Sequence, residues 1–186
     1  MLGPLHHQQH PRRSDRNEPL QGKSTAFFTQ NRTPEYKNIN PAKLVPALED
    51  TEAGLCLAES HAIMRYLCAK FKVDEQWYPR EDLAKQAKIN EYLDYHHLRT
   101  RKCAYLVFHL LFNPILKTGD PTFEEGNTRK VIASSLNFFE KVYLKGKFIG
   151  GDKPCIADLA AFYEVTMLEL LDFDYSPYPT LLKWIG

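Results

Sequence analysis

Apolar residues recur at helical spacing along most of this chain, and the segment from 44 to 58 is the clear exception. There, two short apolar runs flank the polar, turn-rich segment 49–54. This pattern predicts a β-hairpin with strands Leu44–Leu48 and Leu55–Ala58. Pro46 has no backbone N–H to donate to a strand ladder, so we expect it at the start of its strand or on an edge.

Helices are predicted for the chain from Ser60 onward. Ser60 is a residue type that caps helix N-termini, and the apolar residues after it fall on one helical face. Further helical stretches follow at 83 to about 112, at 131–144, at 156–171 and around Trp184. We expect Asn113-Pro114 to end the first of these, because proline breaks a helix interior. The stretch 156–171 is apolar nearly all round, which is typical of a buried central helix.

The first 23 residues differ from the rest of the chain. They are rich in His, Gln and Arg and contain few strongly apolar residues, so they cannot bury enough surface to offset their ordering entropy. They lack the apolar core of a secretory signal, and Asp15 and Glu18 disfavour a transit peptide. His6, His7 and His10 could bind a metal, but a solvated polar tail is the favoured interpretation.

Composition excludes several function classes. The 186 residues include 24 Lys plus Arg and 23 Asp plus Glu, a net charge of +1 that disfavours a dedicated nucleic-acid binder. No stretch approaches the roughly 20 apolar residues that a membrane span needs. The four cysteines show no CxxC spacing, which indicates free thiols rather than a zinc site or a disulfide framework. We therefore expect a compact, cytoplasmic protein without a membrane or nucleic-acid partner.

Three ordered patches of sequence resemble the cytosolic glutathione S-transferase family. They are Asn40-Pro41-Ala42-Lys43-Leu44-Val45-Pro46-Ala47-Leu48, Leu57-Ala58-Glu59-Ser60-His61-Ala62-Ile63 and Ile156-Ala157-Asp158-Leu159. Within that family, the theta class is the most similar in Trp77-Tyr78-Pro79, Asn90-Glu91-Tyr92-Leu93 and Arg101-Lys102. The resemblance runs from about Thr33 to Trp184.

This resemblance implies an α+β fold in two parts. Residues 24–73 would form an incomplete thioredoxin-like, glutathione-binding half, made of a β-hairpin and a helix. Residues 74–82 would be a linker, and 83–186 an all-α glutathione-transferase C-terminal domain. The polar tail, 1–23, would lie outside both parts.

The resemblance also assigns a glutathione site. It implies a cis peptide before Pro46 and a Val45 backbone, next to Leu44, that pairs with the cysteinyl part of glutathione. Ser60 would bind the γ-glutamyl carboxylate at a helix N-terminus, where unpaired N–H groups favour an anion. Glu59 would face the ammonium group. From the residues alone, Pro46 could equally be an ordinary edge proline and Ser60 a simple N-cap.

By the same resemblance, the electrophile pocket would be walled by His97, Arg101, Tyr105 and Phe108, although most of these aromatic residues could belong to the core. Asp158 would be structural, at a helix start where Cys155 is a weaker cap than the usual hydroxyl. We assign no metal ligands, because adjacent residues such as His96 and His97 do not share a helical face.

The activity that the resemblance implies is conjugation of glutathione to a small electrophile, by a homodimer. Theta enzymes stabilise the thiolate with a serine after the first strand, and nothing in residues 1–32 resembles that segment, Ser14 and Ser24 included. We therefore assign no catalytic residue. Two interpretations stay open: a transferase whose catalytic segment is supplied, and a non-catalytic module for glutathione binding, ligand binding or dimerisation. Either would fit a partial gene model or a short isoform, since theta proteins also continue beyond the Trp184 helix.

Overall fold

The computed structural model describes residues 30–186. Two strands and eight α-helices are present there: α1 (Pro34–Ile39), β1 (Ala47–Asp50), β2 (Leu55–Ala58), α2 (Ser60–Lys70), α3 (Leu83–His96), α4 (Arg101–Val107), α5 (Asn113–Leu116), α6 (Glu125–Phe138), α7 (Ile156–Thr166) and α8 (Pro179–Ile185). The predictions for the polar tail and for Ser14 and Ser24 lie outside the described residues.

The β-hairpin has a later first strand than predicted. Strand β1 pairs antiparallel with β2 from Ala47 opposite Ala58 to Asp50 opposite Leu55. Pro46 therefore lies just before the ladder rather than within it, as its missing N–H requires. The Val45-Pro46 peptide is cis, as the resemblance implied. Helix α2 follows the hairpin directly and packs on both strands.

The stretch from 83 to 112 is not one helix, which corrects the sequence prediction. Helix α3 ends at His96, and a turn with i to i+3 hydrogen bonds from 96 to 103 leads into α4. The buried Thr100 hydroxyl in this turn lies 3.0 Å from the Tyr92 hydroxyl. A π-helical segment, Phe108–Phe112, then joins α4 to α5. Pro114 lies in the first turn of α5, where its missing N–H costs nothing.

The apolar core lies among the helices of residues 83–186. Its largest fully buried side chains include Tyr92 of α3, Leu106 of α4, Leu136 of α6 and Leu168, which follows α7. Helix α7 packs against α3 and α4. No helix of the described residues is long and apolar enough to cross a membrane.

Helix α7 is not buried on every side, which differs from the sequence prediction. Its inner face is fully buried, with Ala161 and Val165 inaccessible to solvent. Leu159, Phe162 and Tyr163 lie on the opposite face and are exposed, because no described residue covers them. The segment between α2 and α3 is tied to the start of α7 by a hydrogen bond from the Ile156 N–H to the Trp77 carbonyl (3.0 Å). An apolar surface of α7 thus borders the hairpin side of the molecule.

Candidate functional site

A cavity of about 150 Å³ lies where the segment before β1, the start of α2 and the α3–α4 turn meet. It is lined by Leu44, Val45, Pro46, Glu59, Ser60, His96, His97 and Arg101. The structure therefore brings together all five residues that the resemblance assigned to glutathione. It adds His97 and Arg101, two of the four residues assigned to the electrophile pocket.

The segment before β1 presents backbone groups to this cavity. The Leu44 carbonyl accepts hydrogen bonds from the Tyr36 hydroxyl (2.6 Å) and from the Asn40 side-chain amide (2.7 Å). These two bonds orient the cis Val45-Pro46 peptide that follows. Within residues 30–186, the Val45 N–H and C=O make no backbone hydrogen bond, and its side chain is 68% exposed. An extended peptide ligand could pair with this residue as a strand does.

The start of α2 forms the opposite wall. Ser60 is the first helical residue and Glu59 is the N-cap, so the prediction of Ser60 as the cap itself is wrong by one position. Glu59 has φ 69° and its side chain makes no capping hydrogen bond. The N–H groups of the first helical turn have no partners within the helix, which makes this terminus a carboxylate site. The Ser60 hydroxyl stands beside them.

A second cavity, of about 260 Å³, adjoins the first through shared residues. Pro46, Ser60, His96 and Arg101 border both. The second cavity extends toward α7, where Leu159, Ala160 and Tyr163 give it an apolar wall. A polar compartment beside an apolar one suits a ligand with a peptide part and a hydrophobic part.

Arg101 and Glu164 form an ion pair at the border of the two cavities. Arg101 Nη1 lies 2.5 Å from Glu164 Oε1, and the Glu164 side chain is only 10% exposed. Sequence reasoning missed Glu164, although a carboxylate within the apolar stretch 156–171 was a signal that a partner must lie nearby.

Tyr105 and Phe108 do not line either cavity, which differs from the prediction. The Tyr105 hydroxyl donates to Asp120 (2.8 Å), and its ring packs edge-on against Phe123. Phe108 packs on Phe112 and is 44% exposed.

Three histidine rings meet beside the cavities. His61 of α2 packs on His96 (ring centroids 4.6 Å apart) and on His97 (4.8 Å). The reason for treating His96 and His97 as unable to act together is therefore wrong, since both rings turn toward His61 where α3 ends. Sequence reasoning missed His61 as a partner, because its proximity depends on how α2 docks.

The pKa of His61 is lowered to about 3, chiefly because burial disfavours the charged ring. The neighbouring rings of His96 and His97 and the Arg65 guanidinium act in the same direction. His61 is therefore a neutral imidazole at physiological pH.

Asp158 lies apart from the cavity centre and organises the start of α7. Its Oδ2 accepts from the Cys155 N–H (2.9 Å), and its Oδ1 accepts from the Ile149 N–H (2.8 Å) and from Trp184 Nε1 (3.1 Å). Burial raises the pKa of the Cys155 thiol to about 12. These contacts fit the structural role that we expected for Asp158.

Comparison with known proteins identifies the two halves of the chain. The family profile "Glutathione S-transferase, N-terminal domain" matches residues 23–69, and "Glutathione S-transferase, C-terminal domain" matches residues 112–186. The first match contains both walls of the 150 Å³ cavity, and neither match contains the α3–α4 turn.

Among curated proteins, the chain is 39% identical over 148 residues to glutathione S-transferase T1 of Arabidopsis thaliana, covering 77% of this chain and 59% of that protein. It is 34% identical over 140 residues to human glutathione S-transferase theta-1, covering 73% of this chain and 57% of that protein. The chain thus spans less than two thirds of these relatives.

Solved structures of glutathione transferases also match this chain. The apo form of human glutathione S-transferase T1-1 matches with a TM-score of 0.71 at 29% identity, over 84% of this chain and 66% of that one. A delta-class glutathione transferase of Nilaparvata lugens matches with a TM-score of 0.67 at 31% identity, over 86% and 70%. Both halves of the chain and its fold lead to one conclusion: it belongs to the glutathione S-transferase family, with relatives of the theta class.

Proposed function

We propose that this protein binds glutathione in the 150 Å³ cavity and conjugates it to small electrophiles held in the adjoining apolar cavity. The convergence of Val45 and Ser60 on one cavity carries the proposal. Glutathione has a peptide backbone for the open N–H and C=O of Val45, and a carboxylate for the helix terminus at Ser60. A related human theta-2 enzyme has been solved as a complex with glutathione, at 27% identity and a TM-score of 0.72.

Within the cavity, each wall has one task. Val45 would hold the cysteinyl part of glutathione in an extended conformation, and Ser60 with the α2 N-terminus would hold its γ-glutamyl carboxylate. The Glu59 carboxylate, exposed at the rim, would attract the ammonium group. The apolar wall of α7 would place an electrophile near the thiol, which raises the rate by proximity.

A second candidate function is binding of glutathione or an apolar ligand without catalysis. The thiol of glutathione behaves like a free cysteine, and an enzyme must lower its pKa of about 8.5 to have thiolate at neutral pH. Among the described residues that line the 150 Å³ cavity, Ser60 carries the only hydroxyl, and the carboxylate would use it. This observation favours the non-catalytic function for residues 30–186 taken by themselves.

Three measurements on the full chain separate these functions: glutathione binding, the pKa of the bound thiol and turnover of an electrophile. Calorimetry with glutathione tests binding, and the thiolate absorbance of bound glutathione, followed against pH, gives the thiol pKa. The transferase function predicts binding, a thiol pKa below that of free glutathione and turnover of a general electrophile above the solution rate. Binding with an unchanged thiol pKa and no turnover would leave only the binding function. Absence of glutathione binding would refute the transferase function and the glutathione-binding form of the second function.

We also propose that the protein is a cytoplasmic homodimer, as family membership suggests. Within each chain, residues 74–82 would be the linker between the two domains. Analytical ultracentrifugation of the full chain tests the oligomeric state. A monomer at micromolar concentration would contradict the dimer.

A further inference from the structure

The His61, His96 and His97 rings form a cluster with ligand geometry that glutathione binding does not explain. One nitrogen from each ring lies within 4.8 Å of one from each of the other two. His61 and His96 are 3% and 2% exposed. Within residues 30–186, neither nitrogen of either ring has a hydrogen-bond partner.

Four unpaired nitrogens in a buried site are costly. A buried polar atom without a partner loses about 1–3 kcal/mol relative to one that is hydrogen-bonded. The three rings do not satisfy one another, because no nitrogen of His61 or His96 is hydrogen-bonded to a neighbouring ring. A bound cation would interact with one nitrogen lone pair of each ring. Water beside an apolar wall would satisfy these lone pairs less well.

We propose that His61, His96 and His97 bind a divalent transition-metal cation, with Zn²⁺ as the best match. Imidazole nitrogens suit Zn²⁺, Cu²⁺ and Ni²⁺, whereas Mg²⁺ and Ca²⁺ prefer oxygen ligands. In a tetrahedral zinc site with Zn–N bonds of about 2.0–2.1 Å, the nitrogens lie about 3.4 Å apart. Metal binding would draw the three nitrogens, now within 4.8 Å of one another, to that distance.

Glu164 supports the same assignment from α7. Its Oε1 lies 3.5 Å from His96 Nε2, and its Oε2 is buried without a partner. A carboxylate beside a histidine is the usual outer contact that orients a metal ligand, and the free oxygen could itself complete the coordination. The Glu164 charge also offsets the cation, which Arg101 and Arg65 would otherwise repel.

The site has an entry path, because His97 is exposed and the cavity that borders His61, His96 and Glu164 extends to the half-buried Ser60. A site with three protein nitrogens and one open position can accept a further ligand from the cavity. The proposal does not depend on glutathione transfer.

The test uses the full chain carrying His6→Ala, His7→Ala and His10→Ala, since the N-terminal histidines could bind zinc themselves. After chelator treatment and dialysis, this parent is titrated with ZnCl2 alone in a calorimeter. We expect one Zn²⁺ per chain. In the same background, His97→Ala should weaken binding at least about tenfold, and Glu164→Gln by about 10- to 100-fold.

His109→Ala is the matched control, because His109 is the remaining histidine and stacks on Phe123 away from the cluster. It should bind zinc as the parent does. Circular dichroism without zinc verifies that each variant folds, and exposed His97 can be replaced without opening the core. X-ray absorption should show nitrogen and oxygen neighbours at about 2.0–2.1 Å and no sulfur at about 2.3 Å.

Three results would overturn the proposal. The first is a parent without stoichiometric zinc binding, and the second is an affinity that His97→Ala leaves unchanged. The third is a zinc-bound parent whose nearest neighbours include sulfur, which would assign the metal to a cysteine such as the exposed Cys56.

Discussion

The Arg101 guanidinium of α4 pairs with the Glu164 carboxylate of α7 across the border of the two cavities, with Nη1 2.5 Å from Oε1. The pair is asymmetric, because the Arg101 side chain is 54% exposed and that of Glu164 is 10% exposed. The buried carboxylate therefore needs the guanidinium as a partner far more than the exposed guanidinium needs the carboxylate. We therefore expect the two single replacements to lower the free energy of unfolding by different amounts.

Replacing Arg101 with Ala should destabilise the protein by about 1–3 kcal/mol, because a buried carboxylate loses its main partner. Glu164→Gln should cost less, since it leaves an exposed guanidinium and a neutral amide. The double variant should recover part of the loss, which urea unfolding of all four proteins would measure as a coupling energy. Strictly additive effects would show that the pair contributes nothing.

Ser60→Ala should weaken glutathione binding by about 1–3 kcal/mol, because a hydrogen bond to a charged carboxylate is lost. Calorimetry with glutathione measures the change. Ser134→Ala is the matched control, since Ser134 is exposed on α6 away from both cavities. Equal affinities of the two variants would remove Ser60 from the site.

Local patterns predicted the hairpin and the start of α2, because both depend on neighbours in sequence. The His61–His96–His97 cluster was missed for the opposite reason: its rings come from two helices, and only their docking brings them together. Tyr105 was placed in the pocket because it lies one helical turn after Arg101. Its side chain instead contacts Asp120 and Phe123, and nothing in the apolar spacing signals that contact.

Glu59→Gly should separate stability from binding. Glu59 has φ 69°, a region that costs a residue with a Cβ about 1–3 kcal/mol and glycine almost nothing. The variant should therefore be as stable as the parent or more so, while its glutathione affinity falls because the carboxylate is gone. Thermal unfolding and calorimetry measure the two effects.

Glu49→Gly is the control for this prediction. Glu49 lies in β1 with an exposed side chain, and glycine there should cost about 0.5–1 kcal/mol. If Glu59→Gly destabilised the protein as much as Glu49→Gly, backbone strain at Glu59 would be refuted.

Cys155→Ser should stabilise the protein by about 0.5–1 kcal/mol, because a hydroxyl is a stronger N-cap than a thiol. The Cys155 side chain already accepts from the backbone N–H of Asp158 in the first helical turn, so a serine hydroxyl would find that donor in place. Cys103→Ser is the control. Cys103 is fully buried in α4 without a capping role, and a hydroxyl there should cost about 1–3 kcal/mol. If urea unfolding showed that both variants change the free energy of unfolding in the same direction, the capping argument would be contradicted.

Asp50 ties the end of β1 to α2 and should make stability depend on pH. Its carboxylate accepts hydrogen bonds from the Lys70 ammonium and the Tyr66 hydroxyl, which lower the pKa of Asp50 to about 2, Lys70 being the larger cause. A carboxyl group with a lowered pKa in the folded state binds protons less readily than in the unfolded chain. Its contribution is therefore complete above the ordinary pKa near 3.9 and is lost as the pH falls toward 2.

Asp50→Asn measures that contribution directly. The difference in free energy of unfolding between the parent and Asp50→Asn should be constant above about pH 5 and should shrink between about pH 4 and pH 2. Lys70→Met removes the larger cause of the lowered Asp50 pKa, so the pH range over which this difference shrinks should become narrower. Tyr66→Phe should narrow that range less. Urea unfolding at several pH values gives these differences. A difference that grew on acidification would reverse the sign of the argument, because it would mean that the folded protein holds Asp50 protonated.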